Sequence, residues 1–152
     1  MYHSLLFFHS ITRWLLLMGL IYTIYTAYKG YTKKAHFTRI DNAFRHWTAT
    51  VAHIQLVLGI LLYFKSPIIS YFWKHFLEAK EHLDLLFFGL IHIIMMFLAV
   101  IIITIGSALA KRKKTDQDQF KTIFIWFLIA LLLILMAIPW PFSPLANRPY
   151  FR

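Results

Sequence analysis

Apolar and polar positions alternate along this chain in long blocks rather than residue by residue. Four apolar runs stand out, at about 5–28, 44–64, 85–110 and 123–138. The first is interrupted only by His9 and Arg13. The second ends at Lys65-Ser66-Pro67, the third at Lys111-Arg112-Lys113-Lys114, and the fourth at Pro139-Trp140-Pro141. A helix needs ~20 mainly apolar residues to cross the hydrocarbon core of a bilayer, and each run approximately meets that length. The alternation and turn chemistry of a barrel are missing, so helices are the way such runs satisfy their own backbone groups. The pattern predicts an all-α fold, an integral membrane up-down-up-down four-helix bundle forming a single domain over 1–152. Between the second and third spans, 67–83 holds Tyr71, Phe72, Trp73 and Phe76 among charges. That composition predicts a short helix lying in the membrane interface. The segment Thr115-Asp116-Gln117-Asp118 reads as the most mobile loop.

Composition agrees with the pattern. The chain is 60% hydrophobic, with a mean hydropathy of +0.63, which places it in the membrane class. It has no cysteine, which excludes disulfides, thiolate metal sites, iron–sulfur clusters and c-type haem attachment. The net charge of +10 points away from nucleic acid, because the basic residues gather in short loops between apolar spans, where they meet anionic lipid. The first loop carries Lys29, Lys33, Lys34, Arg39 and Arg45, and the third carries Lys111, Arg112, Lys113, Lys114 and Lys121. The second carries Lys65, Lys74 and Lys80, balanced by Glu78, Glu81 and Asp84. The positive-inside rule then puts loops one and three in the cytoplasm and both termini outside a bacterial inner membrane, with Arg148 and Arg152 as weak opposition. Only Met1-Tyr2-His3-Ser4 precedes the first run, without a basic leader or a cleavage site, which predicts a retained first helix.

Three histidines, His9, His53 and His92, fall inside these spans. An ionisable group at membrane depth is expensive and normally faces the bundle interior. At ~1.5 Å per residue, His9 lies about 6 Å and His92 about 10 Å below the outer ends of their helices, and His53 lies about 16 Å below Phe64. Imidazole holds haem iron in apolar surroundings. In an up-down bundle the first and third helices are diagonal partners, so His9 with His92 best flanks a flat ring, and His53 with His92 comes next. The order of candidate ligands is His92, His9, His53. Small neighbours (Gly89 and Ala99 around His92, Ala49 and Thr50 before His53) leave room for a macrocycle, though they equally let helices approach.

Arg13 shares a helix face with His9, four residues away. No acidic residue lies in any predicted span, so a haem propionate, a quinone oxygen or a lipid phosphate is the expected anion or acceptor, and snorkelling to the interface is the plain alternative. Each histidine also has a plain alternative, a hydrogen bond to a neighbouring carbonyl or hydroxyl. Gln55 is expected to bridge helices. His75, Glu78 and His82 share spacing that suits a divalent metal, but a solvated amphipathic face explains them better. Met95 and Met96 need no more than apolar packing.

The ordered set His9-Ser10-x-x-Arg13-Trp14, His53-Ile54-Gln55 with Gly59 and Leu62-Tyr63-Phe64, His92 with Met95-Met96, and Ile138-Pro139-Trp140-Pro141-Phe142 resembles a small family of four-helix bacterial membrane proteins, common in Bacteroidetes and labelled cytochrome b-like. The resemblance covers nearly the whole chain and implies haem. A looser likeness is to one half of haem A synthase, whose cysteine pair and first-span glutamate are absent here, so no enzymatic activity is carried over. The expected function is noncovalent b-type haem binding and electron transfer, with a quinone as a further cofactor and other membrane subunits or a second copy as partners besides the bilayer. The alternatives are a non-catalytic accessory subunit of a larger membrane complex, or a protein that handles haem or metal.

Overall fold

The computed structural model describes residues 2–144, 146 and 148–149; Met1 and Arg152, named above, lie outside them. The described residues form helices and no strands. Helix α1 runs Tyr2–Thr32, α2 Arg39–Lys65, α3 Pro67–Lys74, α4 Phe76–Ala79 and α5 Leu83–Leu86; a π-helical turn, Phe87–Ile91, leads into α6, His92–Arg112, and α7 is Asp116–Ala137. Four helical segments are long and apolar enough to cross a membrane: α1, α2, the continuous stretch Leu83–Arg112, and α7.

These helices are longer than their apolar runs because caps, not hydrophobicity, set their ends. Helix α2 begins at a capping box. Thr38 accepts from the Asp41 backbone N–H, and the Asp41 carboxylate accepts from the Thr38 N–H, so orphan donors are satisfied at both positions. Thr115 caps α7 by accepting from the Asp118 N–H. The segment expected as a mobile loop is thus the acidic first turn of α7, where carboxylates favour the positive end of the helix dipole. Helix α1 closes with Lys34 at a φ of 51° and with Ala35 N–H donating to Gly30 C=O at 3.0 Å, the six-to-one bond of a left-handed helix stop. The aromatic stretch after α2 is not one helix. It breaks at His75, the C-cap of α3.

Helix α1 packs on α2 and α7, and α6 packs on the same two. Cross-helix pairs run in opposite numerical order. His9 meets Gln55 and Thr23 meets Thr48; Tyr63 meets the Gly89 carbonyl and Arg45 meets Ser107; His92 meets Ala137, and Gly106 lies against Trp126. The central core uses Leu17 and Leu20 of α1, Ala52 of α2, Ile103 of α6, and Phe127 and Ala130 of α7. No more than 39% of the most apolar window of any long segment is buried. Met18, Ile21, Val57, Leu98 and Leu132 face outward. In water so much outward apolar area would drive association; in lipid it is solvated. The fold is compatible with a multi-pass membrane protein.

Candidate functional site

At the end of the bundle where α1 begins and α2 finishes, the helices line a partly open cavity of about 180 Å³. That is roughly ten times the ~15 Å³ a single water requires, so the space suits a ligand. Its walls are mainly apolar and include Leu16, Ala52, Leu56, Met96 and Val100, with Ile134 and Ile138 closing one side. Among them stand His9, Arg13, Gln55, His92 and Arg148. An apolar cavity with a few convergent polar groups is the usual form of a cofactor or ligand site. No Asp or Glu lines it among the described residues.

His92 is aimed by two local irregularities. The first is the π-helical turn that precedes it, in which the His92 N–H reaches back to the Phe87 carbonyl. A turn with an extra residue loosens the regular ladder, and such turns recur at functional sites. The Gly89 carbonyl in this turn accepts from the Tyr63 hydroxyl at 2.8 Å, and the Trp73 indole donates to the Tyr63 oxygen at 2.9 Å. Gly89 is required there, because a Cβ would come within 2.5 Å of the Phe72 ring. The second irregularity is the proline break after α7. The Ala137 carbonyl would normally accept from the N–H four residues on, but Pro141 has none. His92 takes the vacancy, with its Nδ1 2.7 Å from Ala137 O. Pro139 strands the Leu135 carbonyl in the same way, and the Trp140 indole donates to it at 2.8 Å. The Pro-Trp-Pro motif therefore supplies both the acceptor that orients His92 and the group that seals the helix end.

Because a carbonyl only accepts, His92 must carry its proton on Nδ1. Its Nε2 then holds a lone pair and has no hydrogen-bond partner among the described residues. Metal-ligating histidines are held in this way, and so are structural ones; His53 makes the same kind of bond to Ala49 O.

His9 is placed differently. The Gln55 side-chain amide donates to the His9 carbonyl at 3.0 Å and lies 3.2 Å from His9 Nε2, the interhelical bridge expected of Gln55. His9 Nδ1 and Gln55 Oε1 are buried without a hydrogen-bond partner among the described residues. Gly59 allows this approach, since a Cβ there would stand 3.3 Å from His9 Cε1. His53 is exposed and absent from the cavity lining. Its Nδ1 lies 2.7 Å from Ala49 O and its Nε2 3.1 Å from the Thr104 hydroxyl. Arg13 lines the cavity with its guanidinium 5.4 Å from the Trp14 ring centroid. The structure thus brings His9, Arg13 and His92 to one cavity and leaves His53 outside it.

Two residues counted in the sequence only as topological charges have other settings. Arg148 lines the cavity, its guanidinium 5.0 Å from the Phe88 ring centroid. Arg45 is 6% exposed and donates to Asn42 Oδ1 and to both the carbonyl and the hydroxyl of Ser107. The i, i+3 spacing of Asn42 and Arg45 was the available signal. Among the described residues no cluster of three or more His, Cys, Asp or Glu side chains is arranged to hold a metal ion, so His75, Glu78 and His82 form no such group. Comparison with protein-family models, with curated proteins and with solved structures finds no match.

Proposed function

We propose that this chain is a four-helix integral membrane protein that binds a b-type haem noncovalently in the cavity and serves electron transfer in or beside a respiratory-type complex of a bacterial inner membrane. The observation that carries the reading is the His92 imidazole: oriented by Ala137 O at 2.7 Å, it lines a mainly apolar cavity. The residue types around the cavity support this reading. A b-type haem needs an axial imidazole, apolar walls and cationic partners for its propionates; His92, the aliphatic lining, and Arg13 with Arg148 match these needs. When bound, the haem supplies a one-electron couple. The protein's share is to orient the imidazole, to exclude water from the ring and to set a positive charge where carboxylates would sit. A quinone in the membrane is the natural donor class, and lipid and neighbouring subunits or a second copy are the partners.

The opposite numerical order of the cross-helix pairs supports an up-down-up-down topology. The charge counts support both termini outside, with the cavity in the outer half. The apolar and aromatic α3 and α4 support an interfacial role for the segment between spans two and three. The resemblance to cytochrome b-like four-helix proteins supports haem over the accessory-subunit and metal-handling alternatives.

The test is an absorption spectrum of the purified protein, oxidised and reduced, with His92→Gly measured beside it. A Soret band is expected in the wild type and not in His92→Gly, with free imidazole restoring it in the variant. No Soret band in the wild type would leave the accessory-subunit reading. A topology reporter fused at Arg152 is expected to be active only as an outside marker; cytoplasmic activity would invert the bundle.

A further inference from the structure

We propose that the open groove between α1 and α2 is a binding site for a phospholipid with an anionic headgroup, one acyl chain lying along the groove and the phosphate at Lys29 and Lys33. The inference rests on the membrane reading of the chain and is independent of the haem reading.

The groove has a volume of about 320 Å³ and shares only Leu16 with the lining of the cavity around His92. Each helix gives it one wall: Leu15, Met18 and Tyr22 from α1, and Phe44, Trp47 and Val51 from α2. The spacings of three and four residues keep each set on one helix face. The floor exists because Gly19 has no side chain; Thr48 Oγ1 lies 3.2 Å from where a Cβ would stand. That hydroxyl is paired with the Thr23 hydroxyl at 3.0 Å, so the floor asks nothing polar of an occupant. Tyr22 and Phe44 meet across the seam with ring centroids 4.4 Å apart. Met18 and Trp47 are more than half exposed, so the groove is open along its side. A long apolar trough that opens sideways into lipid suits a flexible chain.

The dimensions are those of one leaflet. Leu15 lies close to the middle of α1, Tyr2–Thr32. From Leu15 the same face of α1 continues through Met18, Tyr22, Tyr25 and Lys29 to Lys33. Lys29 stands about 21 Å beyond Leu15 at ~1.5 Å per residue. Half a bilayer, headgroups included, is about 20–22 Å thick. With α1 centred in the bilayer, the groove starts near the midplane and the stripe reaches headgroup level at its lysines. The Lys29 ammonium lies 5.8 Å from the Tyr25 ring centroid, which keeps it in line with the groove.

Charge selects the occupant. Neither Lys29 nor Lys33 has an ion-pair partner among the described residues. The carboxylates at this end are already engaged: Asp41 accepts from Thr38, Asp116 pairs with His36 at 3.0 Å, and Asp118 accepts from Thr115. A second copy of the chain would bring the same lysines and repel. A neutral lipid would leave both unpaired. An anionic headgroup supplies the missing charge while its chain fills the groove.

The experiment uses the full chain purified in detergent, with phosphatidylglycerol and phosphatidylcholine of identical acyl chains as probes. Native mass spectrometry counts the lipid retained per chain. The wild type is expected to retain one phosphatidylglycerol in preference to phosphatidylcholine. Lys29→Gln is expected to lower that retention about fivefold, and Lys29→Gln with Lys33→Gln about thirtyfold, the attraction of one and of two basic residues near a charged surface. Val51→Phe fills the groove and is expected to lower retention with both lysines in place; Met18→Phe replaces it if it does not fold. Lys111→Gln with Lys113→Gln, in the other basic loop, is expected to change nothing. Equal retention of the two lipids, or an equal loss in the Lys111 and Lys113 control, would overturn the inference in favour of general attraction to basic loops. Retention that survives the groove-filling variant would place the lipid elsewhere and overturn it too. A dimer that persists without lipid and is lost in the groove-filling variant would give the groove to a second copy instead.

Discussion

The two ends of the bundle treat buried polar groups in opposite ways. At the end where α1 finishes and α2 begins, Arg45 is buried and its guanidinium is hydrogen-bonded to Asn42 and Ser107. Thr23 and Thr48 bond each other at 3.0 Å. Gly30 lies against Phe120, and Gly106 against Trp126, too close for any Cβ. This end spends its polar groups on itself. At the other end the helices part around a cavity, and His92 Nε2, His9 Nδ1 and Gln55 Oε1 keep hydrogen-bonding capacity that no described residue uses. Buried polar groups are nearly always paired. One end is thus a packed scaffold, and the other keeps unused capacity around a cavity.

The comparison can be broken most sharply at His92. Its replacement by Ala is expected to abolish haem binding while the folded population, measured by circular dichroism in detergent, stays near wild type. Equal haem content in His92→Ala would show that the cavity end does not depend on the one imidazole singled out. Arg13→Leu is expected to come next. Removing one partner of a buried charge pair costs about 3–5 kcal/mol, or roughly two to three decades in haem affinity. Arg13→Lys should lose less, since it keeps the charge without the planar fork. A haem titration in which Arg13→Leu matches wild type would count against a propionate role and favour lipid or a partner chain.

At the packed end the effects should fall on stability instead. Arg45→Met removes hydrogen bonds to a charged group, which contribute about 1.5–3 kcal/mol each at most sites. A loss on the order of 3 kcal/mol in detergent unfolding is expected, with unchanged haem content per folded molecule. Haem loss without destabilisation would mean that Arg45 serves the site after all. Gly106→Ala forces a methyl against the Trp126 side chain, and overpacking of this sort costs about 1–3 kcal/mol. The smallest effect is expected at Gly59→Ala. Its Cβ would meet only the edge of the His9 ring, at 3.3 Å, and a shift of a few tenths of an ångström relieves the contact, so the loss should stay under about 1 kcal/mol. A melting series that ranks Gly59→Ala above Gly106→Ala would reverse the assignment of rigid and yielding ends.

The chain's linear pattern by itself determined the four long helices, because an apolar run of bilayer length leaves the backbone no other way to satisfy its hydrogen bonds. It also singled out His9, His53, Arg13 and His92, since polar groups in apolar runs are conspicuous, and it placed the helix stop at Pro139. Helix starts were less legible. Thr38 and Thr115 cap polar first turns that carry no hydrophobic signal, so α2 and α7 begin five and seven residues before their apolar runs do. Which way each polar group faces was not legible at all, because rotation about a helix axis is set by its neighbours. His53 and Gln55 are two residues apart on α2, yet Gln55 reaches His9 and His53 reaches Thr104. Arg45 reads as a loop charge until Ser107 is brought beside it. The proton position on His92 follows from a carbonyl 45 residues away that Pro141 leaves without its helical donor. Tertiary structure decided these matters because a lone pair is committed or spare only with respect to atoms that the chain brings together from distant positions.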